Sequence, residues 1–204
     1  SRMRLDFSEL PAAEGYRWLT ATVTPRPIAW VSTRSPEGVD NLAPFSFFQV
    51  VCDDPPTLMI SISQRKGGER KDTLLNVRDG GELVVHLVSR TQAETMNASS
   101  SSLSRGVSEF EQFGIAAIPS DRVKPLRVAG AQVAFECRLA EIKPYAAERP
   151  THHLVLAEVM LAHSDEGVLA DARHADAAKL DLIGRMGGSL YATTRDTFTM
   201  GRPK

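Results

Sequence analysis

The chain alternates short strand-patterned segments with clusters of Pro and Gly, and it never settles into the regular strand–helix alternation of a parallel sheet. Residues 27–33 form an apolar block closed by the turn residues Ser35-Pro36-Glu37-Gly38. Residues 39–44 then restart as extended chain, so the pair reads as a hairpin. After the rigid Asp54-Pro55-Pro56, residues 57–63 place Leu58, Ile60 and Ile62 on one face and Met59, Ser61 and Ser63 on the other, which reads as a third strand. Residues 82–88, 131–142, 153–163 and 188–192 supply the later strand candidates. Roughly six or seven short strands with a few short helices point to an antiparallel β-barrel with peripheral helices.

The helices are read from their termini. Asp72 stands as the N-cap of a helix over 73–78, ahead of Gly80-Gly81. Ser89 with Gln92 fits a capping box that opens a helix running to Asn97, ended by the serine run 99–102. Ser108 with Glu111 fits another, for a short helix carrying Phe110 and Phe113 and stopped by Gly114. A last helix is expected over 175–183, stopped by Gly184. With no repeat and no linker, 1–204 reads as one domain with a core over about 17–203.

Composition mainly excludes. Across 204 residues, 24 Lys+Arg stand against 25 Asp+Glu, a net charge of −1, which argues against a dedicated nucleic-acid binder. No apolar run approaches the ~20 residues of a membrane helix. Nothing at the N-terminus reads as a signal peptide, and Cys52 and Cys137 lack disulfide-framework or metal-ligand spacing, so a cytoplasmic protein is expected. His152 and His153 adjoin on a strand and point to opposite faces, so no metal is expected there. His86, His163 and His174 stand alone, and no Gly-x-Ser-x-Gly, Gly-x-Gly-x-x-Gly or Gly-x-x-x-x-Gly-Lys-Ser/Thr motif occurs.

The distinctive segments, in order, are Thr24-Pro25-Arg26-Pro27, Asn41-Leu42-Ala43-Pro44-Phe45-Ser46-Phe47-Phe48, Asp54-Pro55-Pro56 and Arg70-Lys71-Asp72-Thr73-Leu74-Leu75-Asn76. Together they resemble the flavin reductase-like FMN-binding proteins, the group that includes flavoredoxins and NAD(P)H:flavin oxidoreductases. Arg185-Met186-Gly187-Gly188 looks like a later element of the same group. The resemblance implies an antiparallel, Greek-key FMN-binding split β-barrel with short flanking helices. It also implies a homodimer with flavin sites near the interface, and chemistry carried by the flavin with no catalytic side chain.

The residues suit that cofactor. A phosphate dianion is best met by a helix N-terminus, hydroxyls and one or two cations, which Arg70, Lys71, Asp72 and Thr73 supply, with Ser61, Ser63 and Arg26 nearby in pattern. Asp72 would repel a phosphate and is read as an ordering cap, leaving Thr73 as the direct ligand. Asn41, Leu42, Ala43, Pro44, Phe45, Ser46 and Phe47 would wall the ring, with Asn41 and Ser46 as hydrogen-bond groups. Phe45, Phe47, Phe48 and Trp30 also read as core or dimer contacts, and the basic run as a solvated loop, on the blander view.

The reading is an FMN-binding oxidoreductase that takes hydride from NADH or NADPH and passes electrons to a flavin, a protein such as an oxygenase component, or a small acceptor. A flavoredoxin-like carrier with no nicotinamide turnover is the alternative, and a cofactor-free interaction module is a third. FAD stays open beside FMN.

Overall fold

The computed structural model describes residues 1–146, 148 and 150–204. In chain order its elements are α1 (Ala12–Thr22), β1 (Arg26–Pro27), β2 (Ala29–Arg34), β3 (Asp40–Phe45), β4 (Phe48–Asp53), β5 (Pro56–Ser63), α2 (Asp72–Gly80) and β6 (Glu82–His86). There follow α3 (Ala93–Ala98), α4 (Glu109–Gln112), β7 (Ala117–Ile118), β8 (Arg127–Val128), β9 (Val133–Tyr145), β10 (His152–Ser164), α5 (Ala177–Leu180), β11 (Ile183–Arg185) and β12 (Tyr191–Thr193).

Seven strands form one antiparallel sheet in the order β3-β2-β6-β9-β10-β5-β4. Early and late strands interleave in Greek-key fashion, because the chain from β5 crosses through α2 before β6 inserts between β2 and β9. The β2–β3 hairpin pairs Trp30 with Pro44 and Thr33 with Asn41, around the expected turn. In β5, Leu58, Ile60 and Ile62 are buried and Met59, Ser61 and Ser63 half-buried, as the alternation requires. The barrel interior is filled by Val31, Phe45, Phe48, Ile60, Val77, Val85 and Val155. A second cluster around Trp30, Leu42, Met96 and Phe110 sits beneath α3 and α4.

Several local expectations are corrected. Helix α2 begins at Asp72 with Lys71 in the cap position, so Asp72 is its first helical residue and makes no cap bond. Its carboxylate is instead drawn to Arg65 and Arg105. Neither capping box forms. Ser89 Oγ meets Thr91 Oγ1, and a turn of 3-10 helix over Arg90–Gln92 precedes α3. Ser108 Oγ donates to the Asp40 carbonyl. The last helix covers only Ala177–Leu180, because Asp181 turns left-handed (φ 46°) and Ile183-Gly184 joins β11 against β1.

Helix α1 and strands β4, β7 and β8 were not legible as patterns. Strand β4 follows β3 after a two-residue bend and pairs with β5. Helix α1 packs on the chain's C-terminal part: a Cβ at Gly187 would stand 2.8 Å from Ala21 Cα, so only glycine allows this approach.

Candidate functional site

The site grows from the junction between β5 and α2. The polar face of β5 ends in Ser61 and Ser63, after which the loop closes on itself through Arg65 N–H to the Glu69 carbonyl (2.7 Å). Lys71 is extended (φ −68°, ψ 148°), and the first intrahelical bond runs from the Leu75 amide to the Lys71 carbonyl (3.2 Å). The amides of Asp72, Thr73 and Leu74 are therefore the orphan donors of a helix start, and they carry its positive end.

Lys71 holds the centre. Its Nζ donates to Ser63 Oγ at 3.1 Å and stands 5.5 Å from the centre of the Phe45 ring. Burial, and then the charge of Arg65, lowers its pKa from the ordinary lysine value. Among the described residues it has no carboxylate partner, whereas Arg65 and Arg105 are both paired to Asp72 at 3.0 Å.

Two adjoining cavities meet at Pro44, Phe45 and Lys71. The larger, about 310 Å³, is polar and cationic, with Arg65, Lys66, Lys71, Thr73 and the serine run 99–102 on its walls. The smaller, about 210 Å³, is lined by Tyr16, Phe47 and His152 together with Ser46, Ser61 and Ser63. Its aromatic wall is ordered: Phe47 stacks on His152 at 6.1 Å and 10°, and Tyr16 tilts against Phe47 at 6.4 Å.

A buried polar network fixes the floor. Glu109 Oε1 accepts from Asn41 Nδ2 (3.1 Å) and from the Leu42 amide (2.9 Å). Asn76 Nδ2 donates to Thr33 Oγ1 and to Asn41 Oδ1, both at 3.1 Å, and Asn76 Oδ1 accepts from Arg105 (3.1 Å). Burial raises the Glu109 pKa, partly offset by the Leu42 amide and Asn41. At the opposite wall, Ser99 Oγ accepts from the Trp30 indole (2.9 Å) and donates to the Met96 carbonyl (2.6 Å). Ser100 and Ser101 likewise close the end of α3.

The sequence candidates divide accordingly. Asn41, Ala43, Pro44, Phe45, Lys71, Asp72 and Thr73 line the larger cavity, and Ser46, Phe47, Ser61 and Ser63 the smaller. Three candidates line neither. Leu42 is wholly buried in the second core cluster. Arg70 is exposed, and its charge lowers the pKa of His153 after burial does. Arg26 donates to the carbonyls of Thr20 (2.6 Å) and Val23 (2.8 Å), touching the site only through Ser46 Oγ (3.5 Å) and the Phe47 ring (5.9 Å). Asn41 lies at the site with its amide committed to Glu109, Val107 and Asn76.

Arg65 and Lys66, read in sequence as part of a basic cluster able to hold one dianion or as a solvated loop, both line the larger cavity. Sequence reasoning passed over Arg105, Tyr16, His152, Glu109 and the serine run as site residues, and of these only the serines carried any local signal.

Two further titratable groups are structural. His86 is fully buried, accepting from the Val128 amide (2.9 Å) and meeting the Trp30 carbonyl through Nδ1 (2.7 Å). Its pKa is pushed down to about 4, chiefly by burial. Glu136, also fully buried, accepts from the Asp121, Arg122 and Val123 amides and contacts His163. These bonds saturate its oxygens, although Asp121, Glu136 and His163 bring ligand atoms within 4.8 Å of one another.

The family model described as "Flavin reductase like domain" matches residues 21–179. The chain belongs to that family. It is 42% identical over 209 residues to an uncharacterized protein of Deinococcus radiodurans, covering 99% of this chain and 90% of the relative. It is similar in structure to nitrilotriacetate monooxygenase component B from Bacillus cereus, with a TM-score of 0.93, 30% identity and coverage of 98% and 99% of the two chains. A split-barrel protein of Shewanella frigidimarina superposes with a TM-score of 0.83 over 96% of each chain at 17% identity, which shows the fold alone. The architecture is therefore the antiparallel split barrel of flavin reductase-like proteins. No helix among the described residues is long and apolar enough to cross a membrane.

Proposed function

We propose that the chain is an FMN-binding oxidoreductase that takes hydride from NADH or NADPH on bound FMN and passes the electrons to a second flavin, a protein or a small acceptor. The observation that carries this reading is Lys71: a half-buried ammonium with no carboxylate partner among the described residues, at a helix start, between a cationic cavity and an aromatic one. A phosphate dianion would supply the missing counter-charge, and the smaller cavity offers the flat aromatic surroundings that a ring needs.

In this reading Lys71, Thr73 and the first amides of α2 hold the phosphate, and Arg65 adds charge from the loop. Asp72 holds Arg65 and Arg105 at the rim. Pro44, Phe45 and the β3 backbone wall the ring, while Tyr16, Phe47 and His152 flank it and exclude water. Bound flavin supplies the hydride-accepting chemistry, so no side chain is required as acid or base. FMN is preferred to FAD on family resemblance.

The assembly is proposed as a homodimer. Phe45 and Phe48, expected at an interface, are buried in the chain's own core. Exposed apolar side chains lie instead on α1, at Tyr16 and Leu19, with Val23 just past it, on β4, at Val50 and Val51, and near the C-terminal end, at Phe198 and Met200. An oxygenase partner is supported by the similarity to component B of a monooxygenase.

The test is anaerobic mixing of the flavin-loaded protein with NADH and with NADPH. Bleaching of the flavin absorbance is expected with one or both. Loaded protein that stays oxidised with either would overturn nicotinamide-dependent turnover and leave an electron carrier.

A further inference from the structure

Residues 196–204 form an arm that stands free of the other described residues' hydrogen bonds. Its root is firm: Thr194 bonds the Leu182 carbonyl through amide (3.1 Å) and hydroxyl (3.0 Å), and Arg195 grips both Asp181 oxygens at 2.8 Å. Residues 196–204 are all exposed, and among the described residues they make no hydrogen bond.

The arm's sequence is not that of a solvated tail. Thr197-Phe198-Thr199-Met200 alternates hydroxyl and large apolar residues, so in extended chain Phe198 and Met200 project from one face. Thr and Phe also favour strands. Phe198 is 84% exposed and Met200 79%. Two such side chains on one face form a strand-like docking surface without its groove.

A groove of matching character opens at the arm's root. It has a volume of about 210 Å³ and is lined by Pro25, Pro27, Ile28, Leu87 and Leu182, with Thr194 at its rim. None of residues 196–204 of the same chain lines this groove.

We propose that residues 196–201 of one protomer dock in this groove of a second copy of the chain, with Phe198 and Met200 as anchors and the two arms exchanged about a two-fold axis. Thr194 belongs both to the arm's root and to the groove's rim, so an axis passing beside it brings each arm to the other's groove. Phe198 lies four residues beyond Thr194, a reach of at most about 14 Å. The exchange is self-complementary and closes at two copies. Arg26, which also lines the groove, contacts Ser46 and Phe47 on its other side, so a docked arm braces a wall of the flavin cleft. The inference rests on the two-copy assembly proposed above.

The test compares the full chain with Phe198→Ser/Met200→Ser and with a chain ending at Arg195, by light-scattering mass over a dilution series. Circular dichroism confirms that each variant folds. The full chain should be dimeric, and both variants should dissociate with a Kd raised at least about tenfold. A dimeric full chain with unchanged Kd in both variants overturns arm exchange while leaving the dimer. A full chain that is monomeric throughout overturns the dimer and the exchange together. In a second measurement, oxidised Leu182→Cys/Phe198→Cys protein should run as a covalent dimer, and cross-linking within one chain overturns the exchange.

Discussion

Glu109 Oε1 accepts the Leu42 amide at 2.9 Å, so a carboxylate on α4 completes a backbone position of β3 that the barrel leaves unpaired. The same oxygen takes Asn41 Nδ2, and through Asn76 and Arg105 the network reaches Asp72 at the start of α2. The wall and the cationic end of the cleft are thereby held by one connected set of bonds.

Glu109→Ala leaves the Leu42 amide and the Asn41 side chain without their acceptor in the interior, at a cost of about 1–3 kcal/mol. Urea unfolding should show that loss. Glu109→Gln keeps an acceptor oxygen and should lose less, so equal midpoints for the two variants would contradict the assignment.

Lys71→Glu replaces a cation of the cleft that has no carboxylate partner among the described residues by an anion, and should weaken FMN binding by at least ~1–2 kcal/mol. Arg70→Glu, at an exposed position outside both cavities, should leave FMN affinity near wild type. Fluorescence titration of the two folded variants checks the contrast, and an equal loss in both would point to long-range charge rather than contact.

His86 gives a pH dependence of definite sign. Its folded pKa of about 4 lies well below the ordinary histidine value of about 6.5, so the unfolded chain takes up a proton that the folded chain resists. Its contribution is present above pH 6.5 and is lost as pH falls toward 4, the loss amounting to about 3 kcal/mol once both states are protonated. Unfolding free energies of wild type and His86→Gln, compared from pH 7 to 4, should converge toward acid. Parallel curves would remove His86 as the cause.

Gly187→Ala would drive a Cβ to within 2.8 Å of Ala21 Cα in α1. Overpacking of this kind costs about 1–3 kcal/mol. A lowered melting temperature is expected, and an unchanged one would mean that α1 shifts freely.

The strands were legible where one face meets the core: in β5 the alternation of Leu58, Ile60 and Ile62 with Ser61 and Ser63 settled both the element and its polar side. Helix α1 was not, because its buried residues are Gly15 and Thr20 while Tyr16, Trp18 and Leu19 are exposed, leaving no apolar stripe toward the barrel. One capping box failed because Ser108 Oγ donates to the Asp40 carbonyl instead of accepting a helix amide, the other because Ser89 Oγ meets Thr91 Oγ1. In the site, Lys71 and Thr73 were readable from the helix start. Arg105 and Glu109 were not, since Arg105 reaches Asn76 from 29 residues away and Glu109 reaches Asn41 from 68, through contacts that no local pattern encodes.

The central claim is that the cleft around Lys71 binds FMN. Apoprotein titrated with FMN, followed by flavin fluorescence, measures this directly. The account predicts saturable, one-site binding at micromolar FMN or below, weakened in Lys71→Glu. A folded wild-type protein that binds no FMN at micromolar concentration would contradict it.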